Sequence, residues 1–439
     1  MRNFLNITIF ALLAGIAFAQ VDAAQPQQAV APVNIQPSGS PRTELPPQVV
    51  NNESSPAFEI GLSTSAAFDD NGGSFLSGDT AGFVTGISPL VRLKSGGQKH
   101  RLLLEYQPSF SRTTGLSERD DFGQNFNASL EWKLSKRWTM RLRNGFVITS
   151  NPFESALRPT AESPNATIAT PFIRQKRELA SAELEYFFSA RTSVGAVGGF
   201  SMQRYNDPSG VKNKDRQLLD SSNGSGRAYF RHRFTKTIAG GFEYSYQDLL
   251  VAQSTSRTQS HTATAFTTWQ LGKHSQISLF AGPERSRLRD VAEIDLGLFI
   301  IHYPLDELQT SVAAGATYAW EGKQNRFRAG YNRRVADGGG LIGAVRLDSV
   351  SAAFEQKLSR RWDAALDFTY GHNAALGVAN RALESYAGGL TVRHTVSRDL
   401  NIAMSYNHVE QNGMSTIPNN NHNRVSVSLE YLWTHPLGR

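Results

Sequence analysis

The run Asn423-Arg424-Val425-Ser426-Val427-Ser428-Leu429-Glu430-Tyr431-Leu432-Trp433 decides the fold. Val425, Val427, Leu429, Tyr431 and Trp433 alternate with residues that are mostly polar. Successive side chains of a strand point to opposite faces, so this period of two makes a strand with one apolar and one polar side. The same beat recurs in Phe58, Ile60, Leu62, Thr64, Ala66, Phe68 and in Leu102, Leu104, Tyr106, Pro108, Phe110. It returns in Phe126 to Leu134, Trp138 to Leu142, Ile238 to Tyr246 and Trp362 to Tyr370. No stretch after the first twenty residues has helical periodicity.

Working outward from these strands, the connections alternate between two kinds. Short ones are Ser95-Gly96-Gly97-Gln98, Ser135-Lys136-Arg137, Ser189-Ala190-Arg191, Thr235-Lys236, Gly272-Lys273-His274, Glu321-Gly322-Lys323-Gln324, Ser359-Arg360-Arg361 and Ser397-Arg398-Asp399. Between them lie longer polar ones, such as 149–177, 205–218, 371–384 and 410–422. Strict alternation of tight turns and long loops is the habit of membrane barrels. The fold expected is all-β: a transmembrane, antiparallel, up-and-down β-barrel of about eighteen strands with both chain ends on one side. Residues 285–306, with the strand-like Leu296-Gly-Leu-Phe-Ile-Ile301, would make the count odd as one more strand. They are expected in an external loop, as a hairpin or folded into the lumen.

All 6 tryptophans, Trp132, Trp138, Trp269, Trp320, Trp362 and Trp433, fall on the apolar face beside a short turn or the C-terminus. Indole favours the membrane–water boundary, which predicts an aromatic belt at the short-turn end. Pro89, Pro108 and Pro283 each remove a ladder donor and are expected to mark bulges; a bulge is also expected at Asn144.

The opposite face is polar. The candidate pore-lining residues are Arg141, Arg143, Arg227, Arg231, Arg233, Arg326, Arg328, Glu105, Glu183, Glu185, Glu243 and Asp367. A barrel of sixteen to eighteen strands leaves a water-filled interior. The arginines form ladders that either set up a field for anionic solutes or pair with the interleaved carboxylates and hold the wall.

Composition agrees. Of 439 residues, 40% are hydrophobic, 10% aromatic and only 19% charged. Cysteine is absent, so there is no disulfide framework, thiolate metal site or cysteine nucleophile. Mean hydropathy is −0.36, and no apolar run after the N-terminus is long enough for a membrane helix. Formal charge is +7, but the basic residues are scattered, which argues against nucleic acid as a partner.

The chain begins with Met1-Arg2-Asn3, an apolar stretch to Phe18 and the A-x-A site Ala17-Phe18-Ala19, so residues 1–19 read as a secretory signal peptide. Residues 20–56, punctuated by seven prolines from Pro26 to Pro56, read as a disordered periplasmic linker. Residues 57–439 are the barrel.

No enzyme, cofactor or metal site is expected. Gly338-Gly339-Gly340-Leu341-Ile342-Gly343 matches a dinucleotide fingerprint, but strands rather than a strand and a helix flank it, so a flexible loop is expected there. The histidines show no ligand spacing.

Tyr331-Asn-Arg-Arg-Val-Ala-Asp-Gly-Gly-Gly-Leu-Ile-Gly-Ala344 with Asp348-Ser349, Leu358-Ser-Arg-Arg-Trp362 and the ending Val425 to Tyr431 with His435-Pro-Leu-Gly-Arg439 give region 57–439 a resemblance to the β-barrel porin-2 family. The resemblance implies a barrel in the Gram-negative outer membrane, some members of the family being suggested conduits for exported exopolysaccharide. On that basis the expected function is an exopolysaccharide conduit, with outer-membrane lipid, polysaccharide and a periplasmic polysaccharide export protein as partners. The alternatives are a general diffusion porin for small, including anionic, solutes and a structural or adhesive barrel with a plugged lumen. A soluble secreted β-sandwich is the remaining rival.

Overall fold

The structure, a computed structural model, describes residues 57–70, 81–97, 99–115, 119–150, 174–206, 218–251, 256–295, 300–377, 382–412 and 420–436. The signal peptide and linker expected over 1–56 lie outside these residues. Among the described residues all regular structure is strand.

Eighteen strands follow one another: β1 (Ala57–Asp69), β2 (Gly82–Gly96), β3 (His100–Gly115), β4 (Arg119–Lys133), β5 (Trp138–Thr149), β6 (Arg174–Phe187), β7 (Thr192–Asn206), β8 (Ser221–Arg233), β9 (Ile238–Val251), β10 (Ser256–Gln270), β11 (Ser275–Asp295), β12 (Ile300–Glu321), β13 (Asn325–Gly338), β14 (Ile342–Lys357), β15 (Trp362–Ala375), β16 (Ala382–Thr395), β17 (Leu400–Asn412) and β18 (Asn420–Pro436). Each pairs antiparallel with its neighbours in sequence, and β1 pairs with β18 from Ala57↔Pro436 to Asp69↔Arg424, which closes the sheet. A closed sheet is the only β architecture without edges, and so the only one that satisfies its backbone in lipid.

The two faces differ as the alternation predicts. Outward lie exposed Ile60, Leu62, Phe110, Phe242, Leu366, Met404, Val427 and Leu429. Inward on the same strands lie buried Glu59, Ser63, Ser109, Glu243, Ser426 and Ser428. Exposed Trp132, Trp138, Trp269, Trp362 and Trp433, with half-buried Trp320, ring the short-turn end.

Four of the short turns share a local device. Ser135 Oγ accepts hydrogen bonds from the backbone N–H groups of Arg137 and Trp138, both at 3.1 Å. Ser189, Thr235 and Ser359 do the same for the residues two and three ahead. A hydroxyl at the first position therefore fixes the reversal that places β5, β7, β9 and β15.

Three expectations are corrected. First, the prolines do not mark bulges. The β2–β3 ladder is interrupted between Ile87↔Phe110 and Val91↔Tyr106, yet resumes in the same register, and Pro283↔Val312 sits in an unbroken β11–β12 register. A missing donor costs one bond but adds no residue. Asn144 likewise pairs with Ala128 in an unshifted register. Second, of the two alternatives for residues 285–306 the hairpin forms and the fold into the lumen does not, and the hairpin is an extension of the wall rather than a separate loop: β11 and β12 continue in one register, paired from Ser275↔Trp320 to Asp295↔Ile300. Third, Gly338–Gly343 is no flexible loop but the tip of a tight hairpin, and a register shift falls at Asp337/Gly338.

An arginine placed on the lipid face near the middle of a strand has no partner and no water. Leu429→Arg is expected to lower stability by about 2–4 kcal/mol, read from denaturant titration of the barrel refolded in vesicles.

Candidate functional site

The interior face carries an ion-pair lattice that crosses strands. Arg141 on β5 stands between Glu131 on β4 and Glu183 on β6, because the register places them directly opposite. Its Nε is 3.4 Å from Glu131 Oε2, and its Nη1 donates to Glu183 Oε1 at 3.1 Å and Glu185 Oε2 at 3.0 Å. The other oxygen of Glu185, whose side chain is 2% exposed, accepts from Arg231 Nη2 on β8 at 2.6 Å. Tyr229 Oη on the same strand donates to Glu183 Oε1 at 2.8 Å. Tyr229 reaches so far because Gly195 lies beneath its ring: a Cβ at Gly195 would stand 2.3 Å from the ring.

Smaller sets repeat this chemistry. Arg92 links Glu105 (2.6 Å) to Glu59 (2.9 Å), and Lys94 also binds Glu59. Arg227 lies 3.7 Å from Glu243, Arg326 lies 3.0 Å from Glu321 and 3.7 Å from Glu355, and Arg393 lies 3.8 Å from Glu430. Of the residues singled out from sequence, Arg141, Glu183, Glu185 and Arg231 come together in one network and Arg227 meets Glu243. Glu105 belongs to a separate set on β1–β3, and Arg326 to one at the short-turn end. Arg143 and Arg233 share the interior face at the β5 and β8 walls, as Arg328 and Asp367 do at β13 and β15. Tyr229, Glu59 and Lys94 were legible from the same strand parity but were not singled out.

The second element of the interior comes from β13 and β14. Pairing of β12 with β13 ends at Ala314↔Arg333, although β12 runs on to Ile300 and β13 to Gly338. Beyond Arg333 the β13–β14 hairpin leaves the wall and enters the barrel. Val335 N–H, which has lost its ladder partner, donates instead to the Glu284 carboxylate on β11, at 3.3 and 3.2 Å. That carboxylate also accepts from Thr262 and Ser311 hydroxyls. At the tip, Leu219 N–H donates to Gly340 O at 2.7 Å and Tyr205 Oη donates to Gly339 O at 2.5 Å. Gly340 has φ of +82° and a Cβ there would meet the Tyr205 ring at 2.3 Å, so glycine is required on both counts.

Apolar contacts brace both faces of this hairpin. Val335 and Ala344 pack with Leu249, Val251, Leu288 and Leu376 on one side. Ala336, Ile342, Val345 and Leu347 pack with Leu383 on the other. Leu249, Leu288 and Leu383 are inward residues of β9, β11 and β16, so the hairpin spans the interior from one wall to the opposite one, at the end away from the tryptophans.

Glu185→Gln removes one charge from the most buried carboxylate of the Arg141 network. Stability is expected to fall by about 1.5–3 kcal/mol, the cost of weakened hydrogen bonds to charged groups, measured by denaturant titration, with strand content by circular dichroism unchanged.

No family model matches the chain, and no curated protein matches it, so the porin-2 resemblance is carried no further than the closed barrel. Among solved structures, the chain is similar to OpdQ of Pseudomonas aeruginosa, at 12% identity and a TM-score of 0.42 over 86% of this chain and 99% of that one. It is similar to OccAB3 of Acinetobacter baumannii at 8% identity, TM-score 0.42, over 87% and 100% of the two chains. It is also similar to OprD of P. aeruginosa at 8% identity, TM-score 0.41, over 87% and 96%. The fold assignment rests on the register and closure of this chain's own sheet: it is a transmembrane, antiparallel, eighteen-stranded β-barrel.

Proposed function

We propose that the chain is a channel of the Gram-negative outer membrane for small hydrophilic solutes, with its short turns and both ends of the barrel in the periplasm. The observation that carries this reading is the β13–β14 hairpin, latched at Gly339 and Gly340 and packed on both faces across the outer half of the interior. A conduit for exopolysaccharide would need that space clear for a hydrated polymer. The polar lattice beneath it, with guanidinium and carboxylate groups interleaved, suits small water-soluble molecules of either charge.

The test is a vesicle-swelling assay with sugars of increasing size, together with single-channel recording. Swelling with mono- and disaccharides and none with long oligosaccharides supports the reading. Loss of surface polysaccharide on deletion of the gene, with no flux of small sugars, overturns it.

Two further outcomes are expected. Tyr205→Ala combined with Gly340→Val removes the tip latch and should raise single-channel conductance while the barrel still shows heat-modifiable mobility on gels. Under a salt gradient, Glu183→Gln with Glu185→Gln removes two lumen anions, so the reversal potential should move toward anion preference. Arg141→Gln with Arg231→Gln should move it the opposite way.

A further inference from the structure

On the outward face, at the end away from the tryptophans, β9 to β12 carry a cluster of arginines. Arg257 on β10 and Arg285, Arg287 and Arg289 on β11 occupy alternate outward positions, those on β11 spaced by ~7 Å along the strand. All three β11 side chains are exposed. Among the described side chains two acids pair with this cluster. Asp248 on β9 takes Arg257 in a two-pronged pair, 2.8 and 2.5 Å, and Asp306 on β12 takes Arg287 likewise, 2.8 and 2.6 Å. The Arg287 guanidinium holds the Asp306 carboxyl below its ordinary range, and Arg257 does the same for Asp248, so two carboxylates face four guanidinium groups among the described side chains.

The arrangement is costly as it stands. Arg257 and Arg289 are directly opposite across the β10–β11 pair, where like charges destabilise a sheet. Elsewhere on this rim Arg112–Asp120, Arg333–Asp348, His372–Glu384 and His408–Glu410 set base against acid, and one other like-charged pair, Lys176 opposite Arg204, crosses β6–β7. Level with Arg285 and extending toward the membrane lies an aromatic platform: His261 pairs with Arg285 on one side and Tyr246 on the other, Tyr244 Oη is 2.7 Å from His261 Nδ1, and the Tyr246 ring is 5.0 Å from the His261 ring. Below it Phe242 is 68% exposed toward the acyl chains. Guanidinium groups beside and above aromatic rings, with an apolar wall beneath, match a molecule with anionic oxygens, a sugar-like body and fatty tails.

We infer that this patch binds the phosphorylated head group of a glycolipid in the outer leaflet, with Arg285 and Arg289 as the principal phosphate ligands. Guanidinium forks pair with phosphate oxygens two at a time, and the anion relieves the Arg257–Arg289 repulsion. This rests on the outer-membrane reading above.

The test uses the full barrel refolded in detergent and a diglucosamine glycolipid bearing two phosphates, with bound lipid counted by native mass spectrometry. Arg285→Gln with Arg289→Gln is expected to weaken binding by about tenfold or more, and the dephosphorylated glycolipid should bind the native chain equally weakly. Asp306→Asn, which raises the local positive charge, should tighten binding. Equal binding by native and variant barrels, indifference to the phosphates, or full competition by millimolar inorganic phosphate would each overturn the inference. Heat-modifiable mobility and channel conductance should be unaffected by the Arg285/Arg289 change, which separates lost lipid binding from lost folding. Cell fractionation that puts the chain outside the outer membrane would instead defeat the reading beneath it.

Discussion

The constraint behind everything else is that a backbone N–H or C=O placed in hydrocarbon must find a partner within the protein. Closure of β1 against β18 meets it for the sheet as a whole. The two-faced strands follow: a wall one residue thick has lipid on one side and the interior on the other, so period two is obligatory. The hydroxyl-anchored turns follow as well, since a slip of one residue at any of them would turn an entire strand inside out.

The one place where the wall breaks its own rule is where the interior is built. When β13 leaves β12 after Arg333, the freed Val335 N–H needs an acceptor, and Glu284 supplies it from β11. A carboxylate inside a barrel is ordinarily read as part of a charged lining. Here it substitutes for a strand, and the surrounding hydroxyls of Thr262 and Ser311 keep it in place. The hairpin then exchanges lipid contact for packing on both faces. The interior thus divides into an ionic half near the short turns and a region above it where the hairpin packs between two apolar clusters.

Much of this was legible in the sequence. Alternation located all eighteen strands because each presents one apolar face to lipid, and the turns are short enough to show. The tryptophans reported which end was which. At the other rim the alternation stops short of the strand ends: the loop expected from residue 285 begins where β11 still runs on to Asp295, because above the lipid the outward residues become Arg285, Arg287 and Arg289 and the apolar beat stops. The hairpin was missed for a related reason. Glycines 338 to 340 drew attention as a loop, yet Val335-Ala336 and Leu341-Ile342-Gly343-Ala344-Val345 are apolar without alternation, the mark of a strand covered on both sides. The pairing of Arg141 with Glu183 and Glu185 depends on cross-strand register, which no single strand reveals.

The early departure of β13 has a consequence for the outside of the barrel. Among the described residues, the ladder of β12 from Ile300 to Ala313 is with β11 and not with β13, leaving a ribbon with one unpaired margin. Such a margin invites a strand from a neighbouring molecule. Along it the chain carries Pro304, which has no amide hydrogen to offer, followed by exposed Asp306 and Glu307. The missing amide and the neighbouring charge make this margin a poor template for an added strand.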